Sequence, residues 1–256
     1  MTLLFPGILI FATVLLMELG RWLGNRWRSR NGETSPGGGT VEGAVFSLMG
    51  LLIAFAIYGA ESRFDRRRSL IVDEANAINT AYALLDLLPA NTQPHLRSDF
   101  REYVQSRLTT YQKVANWESV QAMQMELRQS AELQREIWKD AVDAIKQADS
   151  PSVQALLLPA IDRMIGIETT RTVALETHLP VAVWAMLAFS VLASCVLAGY
   201  SMSSHGSRHW VHTVSFCLLF SAAVYVLVDF EYPRMQGFIR IHELDRLLNQ
   251  TLENMR

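Results

Sequence analysis

The stretch that decides the fold reads GAVFSLMGLLIAFAIYG from Gly43 to Gly59 and continues as AESRFDRRRSLIVDEANAINTAYALLDLLPA. Its first half is apolar over a length that can cross a bilayer. Its second half is polar and charged, but an apolar residue recurs every three or four positions, as in an amphipathic helix. No proline interrupts the chain between Val41 and Pro89. The stretch predicts one long helix that leaves the membrane and continues into water.

Four apolar blocks, rather than an evenly apolar chain, account for the composition. The protein has 256 residues, 50% of them hydrophobic, and a mean hydropathy of +0.14. The blocks predict transmembrane helices at about 3–20, 43–60, 179–200 and 210–229, and the sequence between the second and third is periodic and polar. The predicted fold class is all-α: an integral membrane protein with four transmembrane helices and a long helical bundle inserted between the second and third spans.

This pattern predicts four segments along the chain. They are spans one and two with a Gly-rich loop (1–60), the extramembrane bundle (61–178), spans three and four (179–230) and an amphipathic tail (231–256). The loop, NGETSPGGGT, is interpreted as a flexible linker because three consecutive glycines disfavour a helix. A nucleotide-binding loop would need a following Lys-Ser or Lys-Thr and a preceding strand. Within the bundle, Pro159 is expected to bend or break its helix.

Neither charge nor motifs point to an enzyme. The formal net charge of −2 creates no global field for nucleic acid. No nucleophile and base stand at a recognisable spacing, and HExxH and CxxC patterns are missing from the sequence. We therefore expect no catalytic residue, no cofactor and no metal site. The two cysteines fall in apolar blocks and are expected to be small buried hydrophobes, whereas His205, His209 and His212 are interpreted as interfacial or titrating histidines.

The second span carries a stripe of small residues followed by a dense collar of charge. Small residues let helices approach closely in lipid, and they also permit a narrow lumen. The collar, Glu61–Arg68, is interpreted either as headgroup contacts with local ion pairs or as a ring of charge at a pore mouth. The candidate pore-lining or mouth residues are Ser47, Gly50, Ala54, Arg63 and Arg67, the last two forming the best same-face pair at i and i+4.

Three stretches resemble the bestrophin-like family of bacterial and plant membrane proteins. The first is the second span with its continuation, in which Glu74-Ala75-Asn76 and the closing Leu-Pro are recognisable. The second is THLPVAVW at the entry to the third span, and the third is DFEYPRMQGFIRI after the fourth. The residues that carry the resemblance are Glu74, Asn76, His178, Pro180, Trp184, Asp229, Pro233 and Gly237.

The resemblance implies a function that the residues alone do not. Bestrophins are pentameric anion channels with four spans and a helical cytosolic part, although the apolar neck that gates them is not recognisable in this sequence. The resemblance implies a homo-oligomer in a bacterial inner membrane, with lipid and small inorganic anions as partners and no nucleic acid. The alternative is a non-conducting membrane sensor or scaffold whose helical bundle binds a partner.

The orientation of the chain in the membrane receives two opposed indications. Arg21, Arg26, Arg28 and Arg30 follow the first span in a short segment, where the positive-inside rule is strongest. They predict that both termini and the bundle lie on the non-cytoplasmic side. The bestrophin architecture and the arginines of the collar favour a cytoplasmic bundle instead.

Overall fold

The computed structural model describes residues 4–31, 38–115, 120–203, 210–232 and 242–255. All the regular structure in these ranges is helical. The helices are α1 (Leu4–Asn31), α2 (Gly38–Leu84), α3 (Gln93–Ala115), α4 (Val120–Ala148), α5 (Pro151–Glu176), α6 (Val181–Met202), α7 (Trp210–Glu231) and α8 (His242–Asn254), with a short 3-10 turn at Leu85–Leu87.

The predicted fold class is confirmed. Four of the described helices are long and apolar enough to cross a membrane, and they contain the four predicted blocks. The central stretch is one helix, α2, of 47 residues. The predicted turn at Asn116 and Trp117, the histidine cluster at 205–212 and the motif residues Pro233 and Gly237 lie outside the described residues.

Two local expectations were wrong in part, namely the extent of the linker and the break at Pro159. Gly38 and Gly39 do not belong to the linker but begin α2, because their backbone is held by the helix that follows. Pro159 does not break α5, which is continuous from Pro151 to Glu176. Proline has no N–H to donate to the carbonyl group one turn earlier. Because Pro159 is exposed, this missing hydrogen bond lies on the solvent side of the helix.

The chain divides into two compact units. The first, here called the membrane unit, is Met1–Phe64 with His178–Ile239, and the second, the bundle unit, is Asp65–Thr177 with Arg240–Arg256. The long helix α2 contributes residues to both. The four-segment division expected from the sequence stays a prediction.

In the membrane unit, glycines let α1 and α6 approach closely. A Cβ added to Gly199 would collide with the backbone carbonyl of Met17, and one added to Gly20 would collide with that of Val196. At the same end of both helices, Arg28 Nη2 donates to Ser203 Oγ at 2.8 Å. Among the described glycines, those of α1 and α6 make close helix contacts within the chain, whereas Gly43 and Gly50 on α2 do not.

A second contact layer of the membrane unit buries one face of α2. The buried residues on this face are Met49, Ile53, Ala56 and Ala60, and they share a cluster with Leu187 of α6 and with Phe220 and Leu227 of α7. Because the four residues recur at intervals of three and four, they form a single stripe along α2. The opposite stripe of α2 is consequently left uncovered by this chain.

The bundle unit has one aliphatic and aromatic core. It includes Ala75, Ile78 and Ala81 of α2, which the helical periodicity predicts to be packed. Phe100 and Val104 of α3, Ile137 of α4, Leu157 and Ile161 of α5 and Leu248 of α8 complete its centre. The contacts of Tyr103 with Gln134 and of Ser106 with Ser130 show that α3 and α4 run antiparallel.

Candidate functional site

Glu231, the last residue of α7, makes several side-chain contacts in the membrane unit. It is 1% exposed. Its Oε2 accepts hydrogen bonds from Arg63 of α2, at 3.1 Å from Nε and 2.6 Å from Nη2. Its Oε1 accepts from the backbone N–H of Leu179 at 2.7 Å and lies 3.3 Å from His178 Nδ1. One carboxylate therefore ties together the exit of span two, the entry of span three and the end of span four.

Aromatic rings pack beside this carboxylate. The ring of His178 stacks on Tyr232 with a centroid separation of 4.9 Å, and Phe64 meets Phe230 edge-on at 5.7 Å. These rings reduce the access of water, which strengthens the ion pair between Arg63 and Glu231. The cluster offers no nucleophile for covalent chemistry. What it can do is fix the three helix ends and hold a guanidinium in one place.

The predicted lining residues lie on the uncovered stripe of α2. Ser47, Gly50 and Ala54 are all exposed in the single chain, and nothing within 4 Å would meet a Cβ at Gly50. Glu61, seven residues beyond Ala54 and thus on the same stripe, is also exposed. The predicted lining positions and this acidic residue therefore share one face.

The two predicted mouth arginines do share a face, but it is the packed face of α2. Arg63 binds Glu231, as described above. Arg67, in the bundle unit, is buried and donates from Nε to the carbonyl of Ala174 at 3.0 Å and from Nη2 to that of Thr177 at 2.8 Å. These carbonyls end α5, so Arg67 provides donors and positive charge at a helix C-terminus.

A buried ionic network occupies the centre of the bundle unit. Glu74 is fully buried and accepts hydrogen bonds from Arg107 of α3, at 2.8 Å from Nε, and from Arg171 of α5. Arg107 also pairs with Glu168, which accepts from Gln134 of α4. Two arginines and two glutamates balance in formal charge, as a buried set must.

The network shifts the acidity of its two carboxyl groups in opposite directions. Burial favours the neutral form of Glu74, but Arg107 and Arg171 outweigh burial and hold its pKa below the usual range. Burial raises the pKa of Glu168, and the nearby Glu74 carboxylate adds to the rise despite Arg107. Glu74 is therefore the carboxyl whose charge the fold depends on.

The remaining motif residues occupy different environments. Trp184 is half-buried against the core of the membrane unit, Asp229 is buried, and Pro180 is exposed at the start of α6. Asn76 is exposed on α2. Among these motif residues, His178 contacts the Glu231 carboxylate, with its Nδ1 3.3 Å from Oε1.

One group of side chains in the bundle unit has ligand types and spacing suited to a metal ion. His95 and Asp99 lie one turn apart at the start of α3, and Asp140 lies on α4. Burial raises the pKa of Asp99, and the carboxylates of Asp140, Glu102 and Glu136 raise it further although His95 opposes them. The sequence predicts no metal site, and His95 was not among the histidines singled out there.

Sequence reasoning missed several residues at these sites. Glu231 stands inside the quoted motif DFEYP, two residues from the singled-out Asp229, but its partner Arg63 is 168 positions away. Arg107, Glu168 and Arg171 are single charges on amphipathic helices, where a solvated position is the ordinary expectation. Each of these charges lies on an otherwise apolar helix face, and that position was the sequence signal that it is buried and paired.

The comparison with protein families decides where the chain belongs. The model of the bestrophin-like domain matches residues 8–243. The chain belongs to the bestrophin-like family. This confirms the resemblance drawn from the three stretches, and with the four apolar helices it establishes a multi-pass membrane protein. No curated protein matches the sequence.

Solved structures show the same fold at low sequence identity. A bacterial bestrophin homologue from Klebsiella pneumoniae, solved by zinc phasing, matches with a TM-score of 0.73 and 14% identity, over 97% of this chain and 96% of its own. A point variant of that homologue matches with a TM-score of 0.72 and 14% identity, over 98% of both chains. This bestrophin-like protein therefore has the fold of that homologue along nearly its whole length.

Proposed function

We propose that this bestrophin-like protein assembles into a homo-oligomeric ion channel of a bacterial inner membrane. In the proposal, α2 of each copy lines the central axis. Membership of the family supports a channel, because bestrophins are channels built from several copies around an axis.

The uncovered stripe of α2 is the observation that carries the proposal. Its residues at Ser47, Gly50 and Ala54 are small, and one of them has a hydroxyl group. Large apolar side chains are exposed on every span, including Leu51 and Tyr58 of α2 beside this stripe, as well as Phe11 on α1 and Phe189 on α6. Large apolar groups suit lipid, whereas a small and partly polar stripe suits a close neighbour or a narrow lumen.

The charge at the mouth is assigned to Glu61 in this proposal. Arg63 and Arg67 have partners inside the chain, so turning them to an axis would leave Glu231 and the end of α5 without them. Glu61 is exposed on the same stripe as Ala54. In a symmetric assembly, one such carboxylate per copy becomes a ring of negative charge.

The permeant ion can be an anion or a cation, and a different observation supports each. The likeness to bestrophins supports small inorganic anions, as expected from the resemblance. The exposed Glu61 favours cations, because acidic rings attract cations and repel anions. The sign of the reversal potential in a salt gradient decides between them.

The test is a current measurement on the purified full-length protein in planar bilayers with a KCl gradient. We expect current from the parent protein and a shift of reversal potential toward anions in Glu61→Lys. The control is Glu176→Lys, which makes the same charge change at an exposed position on α5. An unchanged reversal potential in Glu61→Lys would remove this residue from the mouth. If the folded protein carries no current under any gradient, the non-conducting sensor or scaffold is the better account.

A further inference from the structure

We propose that His95, Asp99 and Asp140 form a binding site for a divalent transition-metal ion that joins α3 to α4 in the bundle unit. Each residue offers one ligand atom, and the three atoms lie within 4.8 Å of one another. This site goes beyond the proposed channel, since it lies in the bundle unit and does not involve the stripe on α2.

The backbone brings the three side chains together without strain. His95 and Asp99 stand at i and i+4 near the start of α3, so their side chains project from the same face. Asp140 comes from α4, whose antiparallel pairing with α3 is fixed by the shared core residues Phe100 and Ile137. The positions of the ligands are therefore set by packed helices rather than by loops, which favours a preorganised site.

The separations between the groups fit a small metal ion. His95 Nε2 lies 3.3 Å from Asp140 Oδ2, and His95 Nδ1 lies 3.4 Å from Asp99 Oδ1. In tetrahedral zinc sites with bonds of about 2.1 Å, the ligand atoms are about 3.4 Å apart. The two distances involve different ring nitrogens, and only one nitrogen can bind the ion. The ligand atoms of all three residues lie within 4.8 Å of one another, so the third ligand reaches the ion by a small side-chain movement.

A second observation concerns the buried carboxylate of Asp99. The residue is 7% exposed, and its Oδ2 has no hydrogen-bond partner among the described residues. A buried carboxylate oxygen without a donor is costly, and a metal ion would satisfy it. Glu102, Glu136 and Asp140 place further negative charge near Asp99, whereas His95 is the group that compensates for it when protonated.

The ligand set indicates the class of metal. One imidazole with carboxylate oxygens suits Zn²⁺, Co²⁺ and related ions, and no thiolate is present among the three ligands. The side chain of His95 is 75% exposed and that of Asp140 is 28% exposed, so water can complete the coordination and the ion can exchange. The site is therefore open on one side, and its ion links two helices of the bundle.

The test uses the full-length protein in detergent, stripped of metal with a chelator and titrated with Co²⁺ while visible absorption is recorded. We expect the parent protein to bind one more equivalent of Co²⁺ per chain than His95→Ala or Asp140→Asn, and Zn²⁺ to displace it. The control is Asp143→Asn, which removes an exposed carboxylate one turn away on α4 and should leave binding unchanged.

Thermal unfolding provides a second measurement. Zn²⁺ should raise the Tm of the parent protein and of Asp143→Asn, but not of His95→Ala, whose exposed side chain can be removed without disturbing the core. Equal Co²⁺ stoichiometry and affinity in the parent and His95→Ala would overturn the proposal. Such a result would mean that His95 simply contacts the two aspartates without an ion.

Discussion

Arg63 of α2 and Glu231 of α7 form a paired contact in which Nε and Nη2 of the arginine lie 3.1 and 2.6 Å from one carboxylate oxygen. The carboxylate side chain is completely shielded from solvent, while the arginine side chain keeps 23% of its surface exposed. The pair joins the ends of two spans, and the Leu179 N–H joins the start of a third. We infer that this contact sets the positions of the helix ends in the membrane unit.

Removing the arginine should destabilise the protein because it leaves a buried carboxylate without its cation. We expect Arg63→Met to lower the free energy of unfolding by about 3 kcal/mol, at the low end for broken buried pairs since Arg63 still reaches solvent. Thermal unfolding in detergent measures the effect. The double variant Arg63→Met with Glu231→Gln should recover much of the loss. A loss as large for the exposed Arg66→Met would show that the pairing is not the cause.

The buried Glu74 should make the stability of the bundle unit depend on pH. Its folded pKa lies below the ordinary value of 4.5, because Arg107 and Arg171 outweigh burial. A depressed folded pKa contributes stability that is present above the unfolded pKa and lost as pH falls through the folded pKa. The difference in Tm between the parent and Glu74→Gln should therefore be largest above about pH 4.5 and shrink below it.

Glu168 remains in both proteins of that comparison, so its opposite contribution largely cancels. Its folded pKa is raised, chiefly by burial, and the stability linked to it is lost as pH rises through that pKa. The exposed Glu176→Gln serves as the control and should follow the parent at every pH. If the difference in Tm between the parent and Glu74→Gln stays constant from pH 7 to pH 3, the lowered pKa of Glu74 is contradicted.

Two glycines test the close packing of α1 against α6. A Cβ at Gly199 would collide with the Met17 backbone, which cannot move as a flexible side chain can, so Gly199→Ala should cost about 1–3 kcal/mol. Gly166, in the middle of α5, has open space around a Cβ, so Gly166→Ala should stabilise its helix by up to about 1 kcal/mol. Unfolding midpoints of the two variants in the same detergent provide the comparison. Equal effects of both substitutions would refute the close approach.

Hydropathy and periodicity were sufficient for the fold because they report directly on the solvent around each helix. The blocks containing Ser47 and Trp184 could be assigned to lipid without knowledge of their neighbours, and the helical spacing of Ala75 and Ile78 indicated a packed face. The low helix propensity of glycine and proline was a poor guide at Gly38 and Pro159. Gly38 begins α2, and Pro159 lies inside the continuous helix α5.

The sites were harder because they depend on which face of each helix meets the rest of the chain. The spacing of Arg63 and Arg67 predicts that they lie on one face, but the sequence does not say whether that face is packed or open. The i, i+4 pair His95 and Asp99 is visible in the sequence, whereas Asp140 joins it only through the register of α3 against α4. Long-range pairs such as Arg63 with Glu231 leave no local pattern.

The central claim, that the uncovered stripe of α2 lines a conducting pore, is tested most directly by cysteine accessibility during current recording. Ala54→Cys should lose current when a charged, membrane-impermeant thiol reagent is added, because the attached charge would stand in the ion path. Phe189→Cys on the exposed face of α6 should keep its current, and the native Cys195 and Cys217 are buried. Loss of current in Ala54→Cys but not in Phe189→Cys is the predicted result. Current that is unaffected by the reagent in Ala54→Cys, Gly50→Cys and Ser47→Cys would contradict the claim.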